Sequence, residues 1–382
     1  MNVPFIALRP LSLVALIAAV LFGAPSTGHS AEWNGIRLSP QAGVSETYDD
    51  NITFSSDNEE EDFITSIEAG LKAVYETQLT SATMLGMLRY DIFASNGQYD
   101  NLSGSVDLDW KQELTQYDRI RVRDHYLHAE EPTTYAEAFN RSTGRLSFQR
   151  NQVWLDYEHD FTPQWAGTAR YSNEMTVFSE DILADSSMNS VGAGLIYHLT
   201  SRTDLLADYD YVTRDYDGAS DAFAHRVSGG VKHHFTEWMY FEGRAGADFI
   251  ESYNGEEMTE PRVSGKLTVE VDPTMRIEAM AEQEHALNSY TQDVFDHWQA
   301  TATLLKEWNE RMRTGISGFY GEGEYVTLRT EDTFVGAGVW LGYDLTPNLE
   351  AKAKYEFTDV DSTDRDQQYT KNVFLIALTL RF

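Results

Sequence analysis

The chain has 382 residues, a formal charge of −32, 13% aromatic residues and no Cys. Without Cys there is no disulfide, no thiolate metal site and no Cys nucleophile. An acid excess of this size leaves no basic footprint for a phosphate backbone, which excludes nucleic acid as a partner.

Residues 1–30 read as a signal peptide. Arg9 and the free amine form a positive start, Leu11 to Phe22 an apolar run, and Gly28-His29-Ser30 a small-residue site, so cleavage is expected near 30/31. The apolar run is shorter than the ~20 residues of a spanning helix. Removing this segment takes away one base and no acid, leaving 28 bases against 61 acids. Residues 31–36 read as a short lead, and 37–382 as one domain.

From residue 37 onward, apolar and polar residues alternate. Leu102, Gly104, Val106, Leu108 and Trp110 interleave with Ser103, Ser105, Asp107, Asp109 and Lys111. Successive strand side chains point to opposite faces, so each set shares one face. A helix would mix the two sets. The pattern predicts eighteen strands, with cores at 37–48, 63–76, 83–94, 102–114, 119–128, 148–159, 165–177, 187–199, 204–214, 223–235, 239–252, 261–271, 275–285, 297–307, 311–320, 333–345, 348–358 and 369–382. Dispersed apolar residues with a mean hydropathy of −0.43 suit a sheet that is apolar outside and wet inside. The expected fold is all-β: a single closed antiparallel transmembrane barrel of eighteen strands.

Connections alternate in length. Short ones such as Thr162 to Gln164 and Thr346 to Pro347 alternate with long ones such as Asp49 to Asp62 and Ala129 to Thr143. Short turns belong to the periplasm and long loops to the outside, which places both termini in the periplasm. The short turns repeat a motif: Leu114-Thr115, Phe161-Thr162, Leu199-Thr200, Phe235-Thr236 and Leu345-Thr346. Trp110, Trp165, Tyr197, Trp238, Trp308 and Tyr343 fall near these turns, where amphipathic rings suit the interface. In the last strand, Phe374, Ile376, Leu378, Leu380 and the terminal Phe382 form one apolar face. That pattern resembles the assembly signal of outer-membrane barrels, and implies the barrel-assembly machinery as a partner.

The inward set is expected to carry both signs of charge: Asp107, Asp109, Arg121, Arg123, Asp208, Asp210, Arg244, Lys266, Glu278, Glu282, Lys352 and Glu356. The outward set is nearly uncharged. Its exceptions, Glu46 and Asp124, are expected near strand ends, where a charge in a barrel wall costs little. The acid excess falls in the long loops. Glu59, Glu60, Glu61 and Asp62 form an acidic outer loop, and Glu180, Asp181 and Asp185 extend another. Such loops keep the surface soluble and bridge to lipopolysaccharide phosphates through divalent cations. Alternatively, their summed field makes a mouth that favours cations.

No catalytic or metal constellation stands out. His233-His234 point to opposite faces, as do His125 and His128, and Glu59 to Asp62 lacks the spacing and Gly of a Ca²⁺ loop. G-x-S-x-G and H-E-x-x-H are absent. The expectation is therefore no enzyme and no cofactor. A bare barrel of this strand number has room for an aqueous channel. The alternatives are an interaction barrel filled by its own side chains and inward loops, and a barrel-borne hydrolase.

Tyr48-Asp49-Asp50-Asn51-Ile52 closes the first strand, after strict alternation from Leu38 to Glu46. With the Leu/Phe-Thr turns, this resembles the β-barrel porin family associated with exopolysaccharide export loci, over roughly residues 36–382. The resemblance implies passage of a polysaccharide across the outer membrane and export components as partners, with outer-membrane lipid and lipopolysaccharide around the wall. It assigns no functional residue. Because the expected wall is nearly balanced in charge, a neutral or weakly charged polymer fits better than a strongly anionic one.

Overall fold

The computed structural model of the chain describes residues 31–132, 134–139, 145–179, 183–218 and 220–382. The signal-peptide segment, Glu180 and Asp181 lie outside the described residues. A short strand β1 (Ala31–Trp33) precedes eighteen long ones. These are β2 (Ile36–Asp49), β3 (Asp62–Glu76), β4 (Thr80–Phe93), β5 (Asn101–Glu113), β6 (Asp118–Ala129) and β7 (Phe148–Thr162). They continue with β8 (Trp165–Phe178), β9 (Ser186–Thr200), β10 (Thr203–Tyr216), β11 (Ala222–Thr236), β12 (Met239–Glu251) and β13 (Glu257–Asp272). The last are β14 (Met275–Leu287), β15 (Val294–Asn309), β16 (Met312–Tyr325), β17 (Thr330–Thr346), β18 (Leu349–Ser362) and β19 (Tyr369–Arg381). A five-residue helix, α1 (Tyr135–Phe139), lies in the β6–β7 loop. Each long strand pairs antiparallel with the next, and β19 pairs with β2, so the eighteen form a closed barrel as the alternation predicts.

Three local differences have physical causes. The lead is not bare coil: Asn34 and Gly35, with φ of 49° and 80°, make a two-residue turn that folds β1 back on β2. Asn-Gly is the pair best suited to two successive positive φ angles. Second, β13 begins at Glu257 and runs through Pro261, where the sequence pattern starts the strand. Its pairing with β14 extends only to Val263↔Gln283, so Pro261 lies on a free edge, where its missing N–H is tolerated. Third, Asp124 is mid-strand in β6, not near an end. Asn151 donates to it at 2.7 Å, and the neighbouring outward residues Tyr126 and Gln149 are also polar. The apolar band ends low on this part of the wall.

The Leu/Phe-Thr repeat has a structural meaning. At Thr115, Thr162 and Thr346 the hydroxyl accepts backbone N–H groups two and three residues on, and at Thr200 the one two residues on. These bonds pin the turn locally. The large residue before Thr is the extra residue of a bulge at Phe161, Phe235 and Leu345, which adds the twist a tight turn needs. Phe161 and Leu345 remain exposed on the outer side.

Barrel closure relies on the motif that ends the first strand. β19 pairs with β2 from Val373↔Asp49 to Arg381↔Gln41 and no higher. Above that, one backbone bond remains, from the Asp50 N–H to the carbonyl of Asn372 at 3.2 Å, and side chains supply the rest. Asp50 accepts the backbone N–H of Asn372 at 2.6 Å and its side-chain amide at 2.7 Å. The fully buried Asn51 donates to the carbonyls of Thr370 and Ser55. Ile52 packs with Ile64 and Phe93.

The outer face is apolar and uncovered, with Leu88 59% and Ile376 69% exposed. A monomer in water does not display a continuous band of this kind, whereas the lipid-facing wall of a barrel must. Trp165, Tyr197, Trp238, Trp308 and Tyr343 ring the band near the short turns, and the Trp165 and Tyr197 rings lie 4.7 Å apart. Tyr48, Trp298 and Phe374 lie toward the long loops, and Tyr171 and Tyr209 at mid-strand, so the rings are less regularly placed on that side. No helix among the described residues is long and apolar enough to cross a membrane; the strands do so. The chain is an integral outer-membrane barrel.

Candidate functional site

The inner face is identified by contacts that only the interior allows. Two long loops fold inward at the loop end and press on distant walls. The first is the β6–β7 loop. Phe139 of α1 packs edge-on against Phe295, Phe319 and Phe334 on β15, β16 and β17, with centroids 5.0–6.0 Å apart. Tyr135 lies beside Phe319 and Phe334. Missing side chains make the seat: a Cβ on Gly321 would fall 2.7 Å from the Phe139 ring, and one on Gly336 2.8 Å from Tyr135. Burial pushes the Tyr135 phenol above its usual range. The root of this loop is tied to the barrel seam. Lys371 of β19 places its Nζ 2.8 Å from Asp49, 3.5 Å from Glu131 and 3.8 Å above the Phe54 ring.

The second is the β14–β15 connection, residues 288–293. Its Tyr290 is buried against Phe148 and Phe178 of β7 and β8, across the lumen from its own strands. Tyr216 of β10 donates to the carbonyl of Asn288 at 2.9 Å. Arg150 of β7 joins both loops, donating to Glu137 of α1 at 2.8 Å and to the Tyr290 hydroxyl at 3.0 Å. The loop end of the lumen is thus packed with aromatic rings and with arginines, among them Arg150, Arg145 and the buried Arg214.

What remains is eccentric. A cavity of about 760 Å³ lies beside α1, between β2–β5 and β15–β19. Its charges are paired: Arg89 with Asp91 at 2.7 Å, Lys354 with Glu356 at 2.6 Å, Lys371 with Asp49, and Arg145 with Glu130 at 3.3 Å. Between them stand hydroxyls, among them Ser103, Thr301, Thr303 and Ser317. A smaller chamber of about 280 Å³ on the β8–β13 wall holds Arg170, Arg226, Arg244 and Arg262. Asp208 accepts from both Arg170 and Arg244, Asp210 from Arg170, and Asp248 faces Arg226 and Arg262. The four guanidinium groups are therefore largely matched.

The strand register puts all the charged positions expected inside on the same face as these cavities. They meet as small groups, within one strand, between neighbouring strands or across an intervening strand as Arg170 and Arg244 do at Asp208, and not as one cluster. Arg121 donates to Asp109 through Nε at 2.9 Å and Nη2 at 2.7 Å, Arg123 to Asp156 at 3.1 Å, and Asp107 faces His125 at 2.6 Å. Arg244 also reaches Glu242 at 2.9 Å, and Glu278 takes Arg276 and, at 3.9 Å, Lys266. Glu282 accepts from Gln299 at 2.5 Å, and Lys352 lies 5.1 Å above the Trp340 ring. Most of these side chains remain a third to a half exposed to the lumen, so each pair adds roughly 0–1 kcal/mol. The pairing is local only, and the expected near-balance of the wall does not hold: the strands carry 41 acids against 22 bases.

Glu59, Glu60 and Glu61 are exposed in the β2–β3 loop, and the Tyr48 hydroxyl donates to Glu61. Asp62 departs from the expectation of a free loop acid. It is buried as the first residue of β3 and accepts the backbone N–H groups of Ser95 and Asn96 at 3.0 and 2.8 Å. Phe374, Ile376, Leu378 and Leu380 share the outer face, opposite Tyr48, Glu46, Val44 and Ala42 of β2. The Phe382 N–H donates to the carbonyl of Pro40 at 3.0 Å. Among the described residues no group of three or more His, Asp or Glu could hold a metal ion.

Sequence reasoning did not single out Tyr135, Phe139, Arg150 or Tyr290. A signal existed for the first two. They are four apart with only Ala and Glu between, a one-turn helix with both rings on one side, and inward positions of β16 and β17 hold glycines.

No family model and no curated protein matches the chain. Among solved structures it is similar to OccAB3 of Acinetobacter baumannii, at 10% identity over 90% of this chain and 99% of that one, with a TM-score of 0.47. It is similar to OpdK of Pseudomonas aeruginosa with vanillate, at 10% identity over 90% and 99%, TM-score 0.47. It is also similar to OccK2 of Pseudomonas aeruginosa in complex with glucuronate, at 9% identity over 91% and 98%, TM-score 0.48. At these values the likeness carries no argument about what this chain passes.

Proposed function

We propose that this chain is an outer-membrane channel that passes neutral, hydroxyl-rich solutes, an extended saccharide chain among them, through the eccentric cavity beside α1. In this reading residues 1–30 direct export, the short turns and both barrel termini face the periplasm, and the barrel performs no catalysis.

The observation that supports it is the pairing of the cavity's charges. A solute entering an aqueous pore exchanges water for wall groups. Hydroxyls such as Ser103, Thr301 and Ser317 offer a sugar equivalent hydrogen bonds. An anion would need unopposed Arg or Lys, as anion pores supply. Here Arg89, Arg145, Lys354 and Lys371 each already face a carboxylate. The cavity volume of about 760 Å³ suits an occupant of a few sugar units, within the roughly 300–1,000 Å³ of small-ligand sites.

Swelling of proteoliposomes in isotonic sugars tests the reading. Neutral mono- and disaccharides should swell them readily, and sugar acids of the same size more slowly. Faster entry of the acids would overturn the preference. The two inward loops favour a second reading, a barrel whose lumen stays shut. Absence of swelling and of conductance would establish that one.

A further inference from the structure

The β14–β15 hairpin leaves the barrel wall. β14 continues to Leu287, paired with β15 throughout, yet β13 stops pairing with it at Val263↔Gln283. The hairpin tip folds into the lumen, and its residues are buried although they form a loop: Asn288 is 3%, Tyr290 5% and Asp293 3% exposed. Leu287 and Val294, at the hairpin's neck, pack on Val212, Ala224 and Ile250 of the opposing inner wall. The 288–293 strap thereby covers the part of the lumen in front of β7–β12.

The root of the strap holds a histidine with no solvent contact. His285 has its Nδ1 3.3 Å from Asp248 of β12 and its Nε2 3.1 Å from Asp296 of β15. A carboxylate oxygen faces each ring nitrogen, and carboxylates only accept, so the arrangement suits a ring protonated on both sides. The other charged or titratable groups packed around it are Arg226 of β11, which donates to the His285 carbonyl at 2.8 Å, Arg262 of β13, Glu284 of β14 and His297 of β15. Asp248 is fully buried and lies on β12, part of the wall onto which the strap folds. His285 therefore links the departing hairpin to the wall at the place where backbone pairing has ended.

We propose that the 288–293 strap sets the size limit of the lumen and that His285 is the positioning residue that seats it. The size limit rests on the channel reading; the seating does not. With His285 in place the strap is docked and solutes are confined to the cavity beside α1. With the clasp lost, the hairpin root keeps its apolar packing on Ile250 but not its polar tie to the β12 wall, and the tip leaves its seat more often.

Two measurements on the full chain separate these points. Because the protein has no Cys, a single Ser289→Cys reports on the strap in intact outer membranes through a membrane-impermeant maleimide. Labelling should be slow in the parent and about ten-fold faster when His285→Ala is added. His285→Asn, which keeps a donor toward Asp248, should restore much of the protection. Equal labelling in all three would overturn the clasp. In planar bilayers, deleting residues 289–292 should at least double single-channel conductance, and His285→Ala should give a smaller rise with more frequent transitions. Equal conductance with and without the tip would overturn the size limit. Conductance in no variant would overturn the channel reading and the size limit with it, while the labelling result would still decide the clasp.

Discussion

At the short-turn end, most connections are held by a residue within three positions of the groups it binds: Thr115, Thr162, Thr200 and Thr346 accept N–H groups of their own turns, while the Thr236 hydroxyl is without such a bond. At the long-loop end, the holding contacts span 72 to 319 positions of the chain. Asn51 reaches Thr370, Tyr216 reaches Asn288, and Arg150 reaches Tyr290. Charge divides the same way. The long loops between the strands hold eighteen acids and four bases, and the short turns two of each. One end is a set of independent hairpin closures without net charge. The other is an interlocked, acidic mouth whose loops fill part of the lumen. A lesion at the turn end should act on assembly or on one hairpin, whereas a lesion at the loop end should act on the pore.

The largest expected effect is at the turn end. The last residue, Phe382, pairs its N–H with Pro40 and completes the apolar face of β19 beside β2. Phe382→Asp, or its deletion, should reduce assembled barrel in outer membranes more than any loop substitution. Heat-modifiable migration on gels checks this. Normal amounts of the folded form would remove the assembly role.

Next is Arg150. Its side chain and that of Glu137 are 13% and 11% exposed, so the pair is largely shielded from water. Hydrogen bonds to charged groups contribute about 1.5–3 kcal/mol. Arg150→Met should leave the barrel closed, lower its thermal midpoint, and make single-channel current noisier as α1 and the strap lose their common anchor. An unchanged current would show that the two loops are held independently.

The same contrast explains what could be read from the sequence. All eighteen barrel strands and the turn motif were legible, because strand alternation and Thr capping are short-range patterns. The paired lumen charges were legible as a set, since alternation assigns faces. Their partners were not, because Arg170–Asp208 or Lys371–Asp49 depends on strand register across the closed sheet. The inward loops were the main loss. The 288–293 stretch is short and polar apart from Tyr290, and nothing local says that this ring packs on Phe148 and Phe178. Asp62 was misread for the same reason: its burial comes from Ser95 and Asn96, in the next loop.

A smaller effect tests the seam. Asn51→Ala removes the amide that bonds Thr370 and Ser55 where the β19–β2 ladder has ended. Losing the hydrogen bonds of this fully buried amide costs about 1–3 kcal/mol, at roughly 0.5–1.5 kcal/mol each. Thr162→Ala, which loosens one exposed turn, should cost less than 1 kcal/mol, roughly the worth of one modest hydrogen bond. Urea-driven unfolding of the two variants in parallel should rank them in that order. The reverse order would mean that closure depends on the local turns and not on the long-range contacts of the mouth.

The smallest effect, and the one most dependent on conditions, is selectivity. Glu59, Glu60 and Glu61 are exposed in the β2–β3 loop, with no base in that loop. Their field adds to that of the other outer loops and should draw cations to the mouth. The strands hold 41 acids against 22 bases, so the wall adds to this field and does not cancel it. Under a KCl gradient at low salt, the wild type should show a reversal potential of cation-selective sign, and changing the three to Gln should move it toward zero. Glu310→Gln at the turn end should change little, because Arg311 follows it and that end has no net charge. Screening makes the prediction sharper. The Debye length is about 8 Å at physiological ionic strength and about 3 Å at 1 M, so the difference between wild type and triple variant should vanish at high salt. A difference that persists at 1 M would place the selecting charges inside the lumen. Anion selectivity at low salt would mean that unmatched bases on the wall outweigh the mouth, and the contrast between the two ends would no longer govern what enters.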